Sequence, residues 1–128
     1  MIEVNLKKIK FKFHSEGFIK PLIHEYLDNV QAETQAHILR ILFNLTTINE
    51  NSFYEQIQSI LIKKKYLDPV IRRISSLNDN VVYNALLLIG NLISVSSNQA
   101  KLIEMNIHGR LAQTYFTYNN TQNFKILE

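Results

Sequence analysis

The stretch VVYNALLLIGNLISVSSN, residues 81–98, is an apolar run that carries Asn91 near its C-terminal end. A second run, QAHILRILFNLTTIN at residues 35–49, carries Asn44 at the same place, 47 residues earlier. Each run follows an apolar segment that contains one proline, GFIKPLIHEYL at 17–27 and KYLDPVIRRISSL at 65–77. A period of about 45 residues is typical of proteins built from stacked helices. The sequence therefore predicts an all-α array that repeats one structural unit.

Composition places the chain among single-domain globular proteins. Its 128 residues are 46% hydrophobic and 20% charged, with only 3 glycines and 2 prolines to interrupt helices. The chain has no cysteine, which excludes disulfides and thiolate metal ligands. Its apolar runs are shorter than the roughly 18 residues of a membrane-spanning helix, so no membrane partner is expected. A net charge of +3 is too small to indicate a nucleic-acid partner.

Apolar spacing predicts a series of helices along the chain. The expected helices cover residues 18–27, 35–48, 53–65, 67–77, 81–95, 99–105 and 107–118, with another beginning at 121. Residues 2–13 also carry a helical stripe, although the alternation at their start fits a strand too. Gly17 and Asn106 occupy equivalent places before short helices. Both are expected to adopt the left-handed conformation that ends helices.

Local features predict how some of these helices begin and end. Ser52 and Glu55 have the spacing of a capping box, and residues 78–80 form a cap cluster ahead of the run at 81. Residues 63–65 are three lysines expected in the last turn of a helix, where cations complement the helix dipole. Pro21 is expected in the first turn of the helix at 18–27, where its missing N–H costs least, and the helix at 67–77 repeats this proline-bearing pattern.

The repeating unit is thus a helix, a short helix and a long helix. We expect one segment over residues 1–128, made of a partial repeat at 1–48, a full repeat at 49–95 and a partial repeat at 96–128. Repeat arrays need about three units and polar terminal caps. Because this chain has just over two clear units, its ends are expected to expose apolar faces, which predicts marginal stability or self-association through those ends.

Residues 85–111, ALLLIGNLISVSSNQAKLIEMNIHGRL, resemble the armadillo repeat family, and within it most closely the importin-alpha adaptors of nuclear import. The likeness lies in a helix ending in small-Asn-apolar, a polar turn, a Gln-led short helix, and a Gly or Asn turn. Residues 35–61 resemble the preceding repeat in the same register, and the likeness covers roughly residues 14–120. The resemblance implies an all-α, right-handed superhelical solenoid of stacked three-helix repeats.

The resemblance also implies a peptide-binding groove lined by the third helices. In the family each such helix offers a tryptophan, and an asparagine four residues later that bonds the backbone of an extended basic peptide. Here the asparagine positions are Asn44 and Asn91, and the tryptophan positions are Arg40 and Leu87. One turn earlier lie His37 and Asn84. The chain has no tryptophan, Arg40 would repel a basic peptide, and Leu87 offers no cation–π face.

By resemblance, the expected function is nuclear import by binding nuclear localisation signals in cargo, in the cytoplasm and nucleus. Importin beta would be a partner in a full-length context, although no Arg-rich importin-beta-binding segment is visible. The alternative is an armadillo scaffold protein that binds another protein without recognising nuclear signals. Asn44 and Asn91 could equally be helix-terminal asparagines that bond nearby backbone.

No pattern typical of an enzyme occurs in the sequence. His14, His24, His37 and His108 are scattered, and none is paired at metal-ligand spacing with a third ligand in reach. Phosphate-binding, zinc-protease and nucleophile-elbow motifs are missing as well. We therefore expect a binding protein with no catalytic residues, no metal site and no cofactor.

Overall fold

The computed structural model describes residues 16–48, 54–114 and 116, and all regular structure within them is helical. This confirms the all-α class. The helices are α1 at 16–26, α2 at Ala32–Thr46, α3 at Tyr54–Leu61, α4 at Lys64–Arg72 with a 3₁₀ turn at Arg73–Ser75, α5 at Asp79–Ile93, α6 at Ser96–Glu104 and α7 at 107–114. Leu22–Tyr26 of α1 has π-helical hydrogen bonding. The helix predicted at 2–13, the one beginning at 121 and the Ser52 cap lie outside the described residues.

Helices in equivalent places along the chain pack against each other. The long helices α2 and α5 form the most extensive packing between described elements, and α1 packs on α4. Farther along, Arg110 of α7 pairs with Asp68 of α4 at 3.1 Å. The core between these helices is aliphatic, with one buried tyrosine, and its largest fully buried side chains are Tyr66, Ile19, Ile23, Leu27, Leu39, Leu42, Ile60, Leu61, Leu67, Ile71, Ile74 and Leu88. No helix in the described ranges is long and apolar enough to cross a membrane.

The same kind of hydrogen bond is found at the C-terminal ends of both long helices, α2 and α5. Gln58 of α3 donates through Nε2 to the carbonyl of Thr46, the last residue of α2, at 2.9 Å. Gln99 of α6 donates in the same way to the carbonyl of Ile93, the last residue of α5, at 3.1 Å. Both bonds satisfy a helix-terminal carbonyl that has no partner within its own helix. The short helix of each unit therefore closes the long helix before it.

The first-turn placement predicted for Pro21 is wrong, because α1 already begins at residue 16. Pro69 likewise lies inside α4, which begins at Lys64. A proline has no N–H, so the carbonyl four residues earlier, that of Lys65, loses its helical partner. His24 of α1 supplies a replacement, since its Nε2 lies 2.8 Å from Lys65 O. The His24 ring also stacks on Tyr66, with ring centroids 5.1 Å apart. The proline thus creates an acceptor that joins α1 to α4.

The placement predicted for residues 63–65 is wrong. The helix α3 ends at Leu61, Lys63 precedes α4, and the next two lysines begin it. Cations at a helix N-terminus oppose the dipole. Glu16 offsets this, because its Oε1 lies 3.1 Å from Lys63 Nζ and 3.8 Å from Lys65 Nζ. The apolar spacing predicted one continuous helix here because no glycine or proline lies between the end of α3 and the start of α4.

The helix ends predicted at Asn106 and Asn78 are confirmed, and the one predicted at Gly17 is wrong. Asn106 has the expected left-handed backbone, with φ at 56°. Gly17 does not, since it lies within helical residues 16–21 and no glycine has positive φ. The helix continues through Gly17 because Ile19 and the apolar residues after it bury one face. Asn78 caps α5 as predicted, accepting hydrogen bonds from the backbone N–H groups of Asn80 and Val81.

Candidate peptide-binding face

The residues predicted to bind a peptide lie in two stripes, one on each of the long helices. Within each stripe the spacings of three and four residues place the side chains on one face of the helix. The α2 stripe is exposed and the α5 stripe is half-buried. Because α2 packs along α5, the stripes lie on neighbouring helices. We refer to these six residues together as the α2–α5 face: His37, Arg40 and Asn44 on α2, and Asn84, Leu87 and Asn91 on α5.

Asn91 uses its side-chain amide within the chain. Its Nδ2 lies 3.1 Å from Phe43 O, 3.1 Å from Thr46 Oγ1 and 3.2 Å from Thr47 Oγ1. All three acceptors belong to the C-terminal end of α2, where carbonyls lack helical partners. The asparagine therefore ties α5 to the end of α2. For this nitrogen the helix-terminal interpretation describes the geometry, and a peptide would have to displace these bonds to use it.

Asn44 has the same place on α2 that Asn91 has on α5, but its surroundings differ. Its side chain is exposed and makes no hydrogen bond with any described residue. Its amide therefore offers two N–H donors and one carbonyl acceptor to a ligand. Of the two asparagines in the face, Asn44 is the one whose side-chain amide nitrogen is not committed within the described part of the chain.

Arg40 puts a positive charge on the exposed half of the face. Its Cζ lies 5.2 Å from the centre of the Phe43 ring, a cation–π contact worth about 0.5–1 kcal/mol at an exposed site. No described carboxylate lies within ion-pair distance of its guanidinium. His37 lies one turn before Arg40 and Glu33 two turns before it, both exposed, so the preference of this side of α2 for an acidic ligand rests on Arg40 alone.

Asn84 and Leu87 form the inner half of the face. Asn84 donates through Nδ2 to Asn80 O at 2.8 Å, while its Oδ1 is buried and accepts no hydrogen bond. A buried acceptor without a partner costs about 1–3 kcal/mol. Leu87 is half-buried and contributes apolar surface. The inner half of the face therefore contains one buried polar atom, Asn84 Oδ1, that has neither solvent nor a hydrogen-bond donor beside it.

Three buried polar residues behind the face were missed by sequence reasoning. Thr46, Gln58 and Asn98 have relative exposures of 0%, 3% and 7%. Asn98 donates to Gln58 Oε1 and to Leu92 O, both at 3.0 Å, and Gln58 donates to Thr46 O. These bonds join α2, α3, α5 and α6 beneath the surface. The recurrence of glutamine 41 residues apart, at Gln58 and Gln99, is the sequence signal that could have indicated them.

A cleft between α1 and α4 is also charged. It is lined by Ile23, His24, Asp28, Lys64, Lys65, Asp68, Pro69 and Arg72. Its carboxylates are already paired, Asp28 with Arg73 and Asp68 with Arg110. Nearby, a hydrogen bond from Lys63 holds the pKa of Glu16 below its ordinary value, and burial raises the pKa of Tyr66. These charges hold neighbouring helices together and leave the α2–α5 face as the candidate site.

No family model, curated protein or solved structure matches the chain at a significant level. Among the residues that the structure describes, no three His, Asp or Glu side chains come together as metal ligands. The case for a function therefore rests on the repeat and on the side chains of the α2–α5 face.

Proposed function

We propose that the chain is a segment of an armadillo-type, right-handed superhelical solenoid of stacked three-helix repeats, and that it binds other proteins. The observation that carries this proposal is that the last carbonyl of each long helix, α2 and α5, accepts a hydrogen bond from a glutamine of the short helix that follows it. The same bond at the end of two successive long helices supports a repeated unit. Residues 1–48, 49–95 and 96–128 are then a partial, a full and a partial repeat.

The side chains of the α2–α5 face favour a ligand that is an extended protein segment of neutral or acidic character. Asn44 presents its amide to a peptide backbone, and Arg40 presents its guanidinium to a carboxylate. A net hydrogen bond contributes about 1 kcal/mol, and an exposed ion pair contributes about 0.2–1 kcal/mol. Leu87 adds apolar contact. The chain is in this proposal a scaffold that holds a partner protein and carries no catalysis.

Recognition of basic nuclear localisation signals is the second candidate function. It is favoured by Asn44, whose side chain meets the family requirement for a free groove asparagine, and by the resemblance of residues 85–111. It would place the protein in the cytoplasm and nucleus, with importin beta as a partner in a longer protein. Arg40 separates the two candidates, because its cation repels a basic ligand and attracts an acidic one.

Titration of two fluorescent peptides of equal length, one Lys/Arg-rich and one Asp/Glu-rich, tests the proposal. The scaffold function predicts tighter binding of the acidic peptide, weakened about two- to fivefold by Arg40→Gln, as expected for one exposed ion pair. Lys101→Gln removes an equally exposed charge on α6 and should change nothing. Preference for the basic peptide would select the nuclear-import function, and binding of neither would overturn the peptide-binding role of this face.

A further inference from the structure

Two apolar stripes on the outer sides of the long helices have no partner among the described residues. On α2 the stripe is Ile41 and Leu45, with relative exposures of 45% and 36%; Ile48, exposed by 61%, follows just beyond the end of the helix. On α5 it is Tyr83 and Leu86, exposed by 57% and 39%, together with Gly90. Spacings of three and four residues align each set on one side of its helix. These are the outer α2 stripe and the outer α5 stripe.

The repeat relates these exposed positions to buried ones. A shift of 47 residues carries Ile41 and Leu45 of α2 onto Leu88 and Leu92 of α5, which are both fully buried. The reverse shift carries Leu86 of α5 onto Leu39 of α2, also fully buried. Each outer stripe thus occupies positions that the other long helix buries. Among the described residues, both stripes lie outside the packing that joins α2 to α5.

The hydrogen bonding of Asn91 and Asn44 agrees with this relationship between buried and exposed positions. Asn91 binds Phe43 O at the end of α2, whereas Asn44, its equivalent, has no partner among the described residues. The same shift carries Phe43 onto Gly90. Gly90 is exposed, and a Cβ built on it would meet no atom within 4 Å. Its carbonyl accepts the N–H of Ser94 at 3.1 Å and keeps a second lone pair as an acceptor. Asn44 therefore has the donor, and Gly90 the acceptor, of a second copy of the Asn91 bond.

We propose that the chain binds a second copy of itself head to tail, with the outer α2 stripe of one copy on the outer α5 stripe of the next. The contact continues the α2–α5 packing beyond the chain, and Asn44 of one copy donates to Gly90 O of the other. This rests on the repeat arrangement proposed above but on no peptide ligand. Because the contact joins two different stripes, a pair of copies still has one outer α2 stripe and one outer α5 stripe uncovered. Further copies can therefore add at both ends of the assembly.

Sedimentation velocity over a micromolar concentration series tests the proposal. The wild-type chain should increase in mass with concentration. Leu45→Lys on α2 and Leu86→Lys on α5 should each weaken the association by roughly tenfold or more, a loss of about 1.4 kcal/mol. Leu77→Lys is the matched control, because Leu77 is fully exposed, at 101%, and lies on neither stripe. Circular dichroism of each variant establishes that it is folded.

Mixing the two stripe variants distinguishes head-to-tail from symmetric pairing. Leu45→Lys keeps the outer α5 stripe and Leu86→Lys keeps the outer α2 stripe, so together they should form a one-to-one dimer that stops there. A wild-type chain that stays monomeric at all concentrations would overturn the proposal. So would stable dimers of either variant alone, which would mean that like stripes pair. Because Asn44 takes part in both proposals, the peptide titration is made at concentrations where the chain is monomeric, and there the effect of Arg40→Gln reports on peptide binding alone.

Discussion

Asn98 of α6 donates a hydrogen bond to Gln58 of α3 across 3.0 Å, with both side chains buried. Gln58 in turn donates to Thr46 O at the end of α2. One glutamine therefore joins three helices, using its oxygen for one neighbour and its nitrogen for another. In a low-dielectric interior such a chain of bonds is stabilising only while every member is satisfied.

Gln58→Leu should destabilise the fold by about 2 kcal/mol, because it leaves Thr46 O without this donor and Asn98 without one acceptor. Urea unfolding followed by circular dichroism measures the loss. Gln99→Leu is the control, since Gln99 makes the equivalent bond at an exposed position and should cost less than about 1 kcal/mol. Equal losses for the two variants would show that burial of the network does not matter.

Asn91→Ala should lower the free energy of unfolding by about 1–2 kcal/mol, because the end of α2 loses its amide donor. Asn44→Ala should leave stability within about 0.5 kcal/mol of wild type, as for an exposed side chain without hydrogen bonds to described residues. Both variants are compared at low concentration, where self-association does not contribute. A reversed order of the two effects would contradict the roles assigned to these asparagines.

Asn84→Ala should raise stability by up to about 1 kcal/mol. The substitution loses the hydrogen bond to Asn80 O but removes a buried acceptor that has no partner, and alanine is the better helix former. Asn84→Asp should do the opposite, since it places a charged oxygen at the buried position. Thermal melting of the pair measures both signs, and a destabilised alanine variant would mean that the oxygen has a partner in solution.

The link between Glu16 and Lys63 should make the fold sensitive to acid. A folded-state pKa below the ordinary 4.5 means that the stabilisation is present above pH 4.5 and is lost as pH falls through the lower, folded value. Glu16→Gln should therefore flatten the loss of stability between neutral and acidic pH. Urea midpoints at a series of pH values measure this. Parallel curves for wild type and variant would exclude Glu16 as a source of the acid sensitivity.

Sequence periodicity located the long helices well and the breaks between short helices less well. The helices predicted at 35–48 and 81–95 correspond to Ala32–Thr46 and Asp79–Ile93. A run of fifteen residues averages over many apolar positions, so one ambiguous residue does not move it. The break before Lys64 depends on a few backbone angles that no glycine or proline announces, and the pairing of Lys63 and Lys65 with Glu16 depends on a distant helix.

The sequence by itself determined the all-α class and the two long helices, because apolar period and helix capping act between residues close in the chain. It also predicts the repeat that relates Asn44 to Asn91. Only the tertiary structure decided what each asparagine does. Asn91 reaches Phe43 O, 48 residues away, while Asn44 has no described partner. The same residue at the same place in a helix thus has two roles, since a hydrogen bond is decided by which neighbour the packing brings within reach.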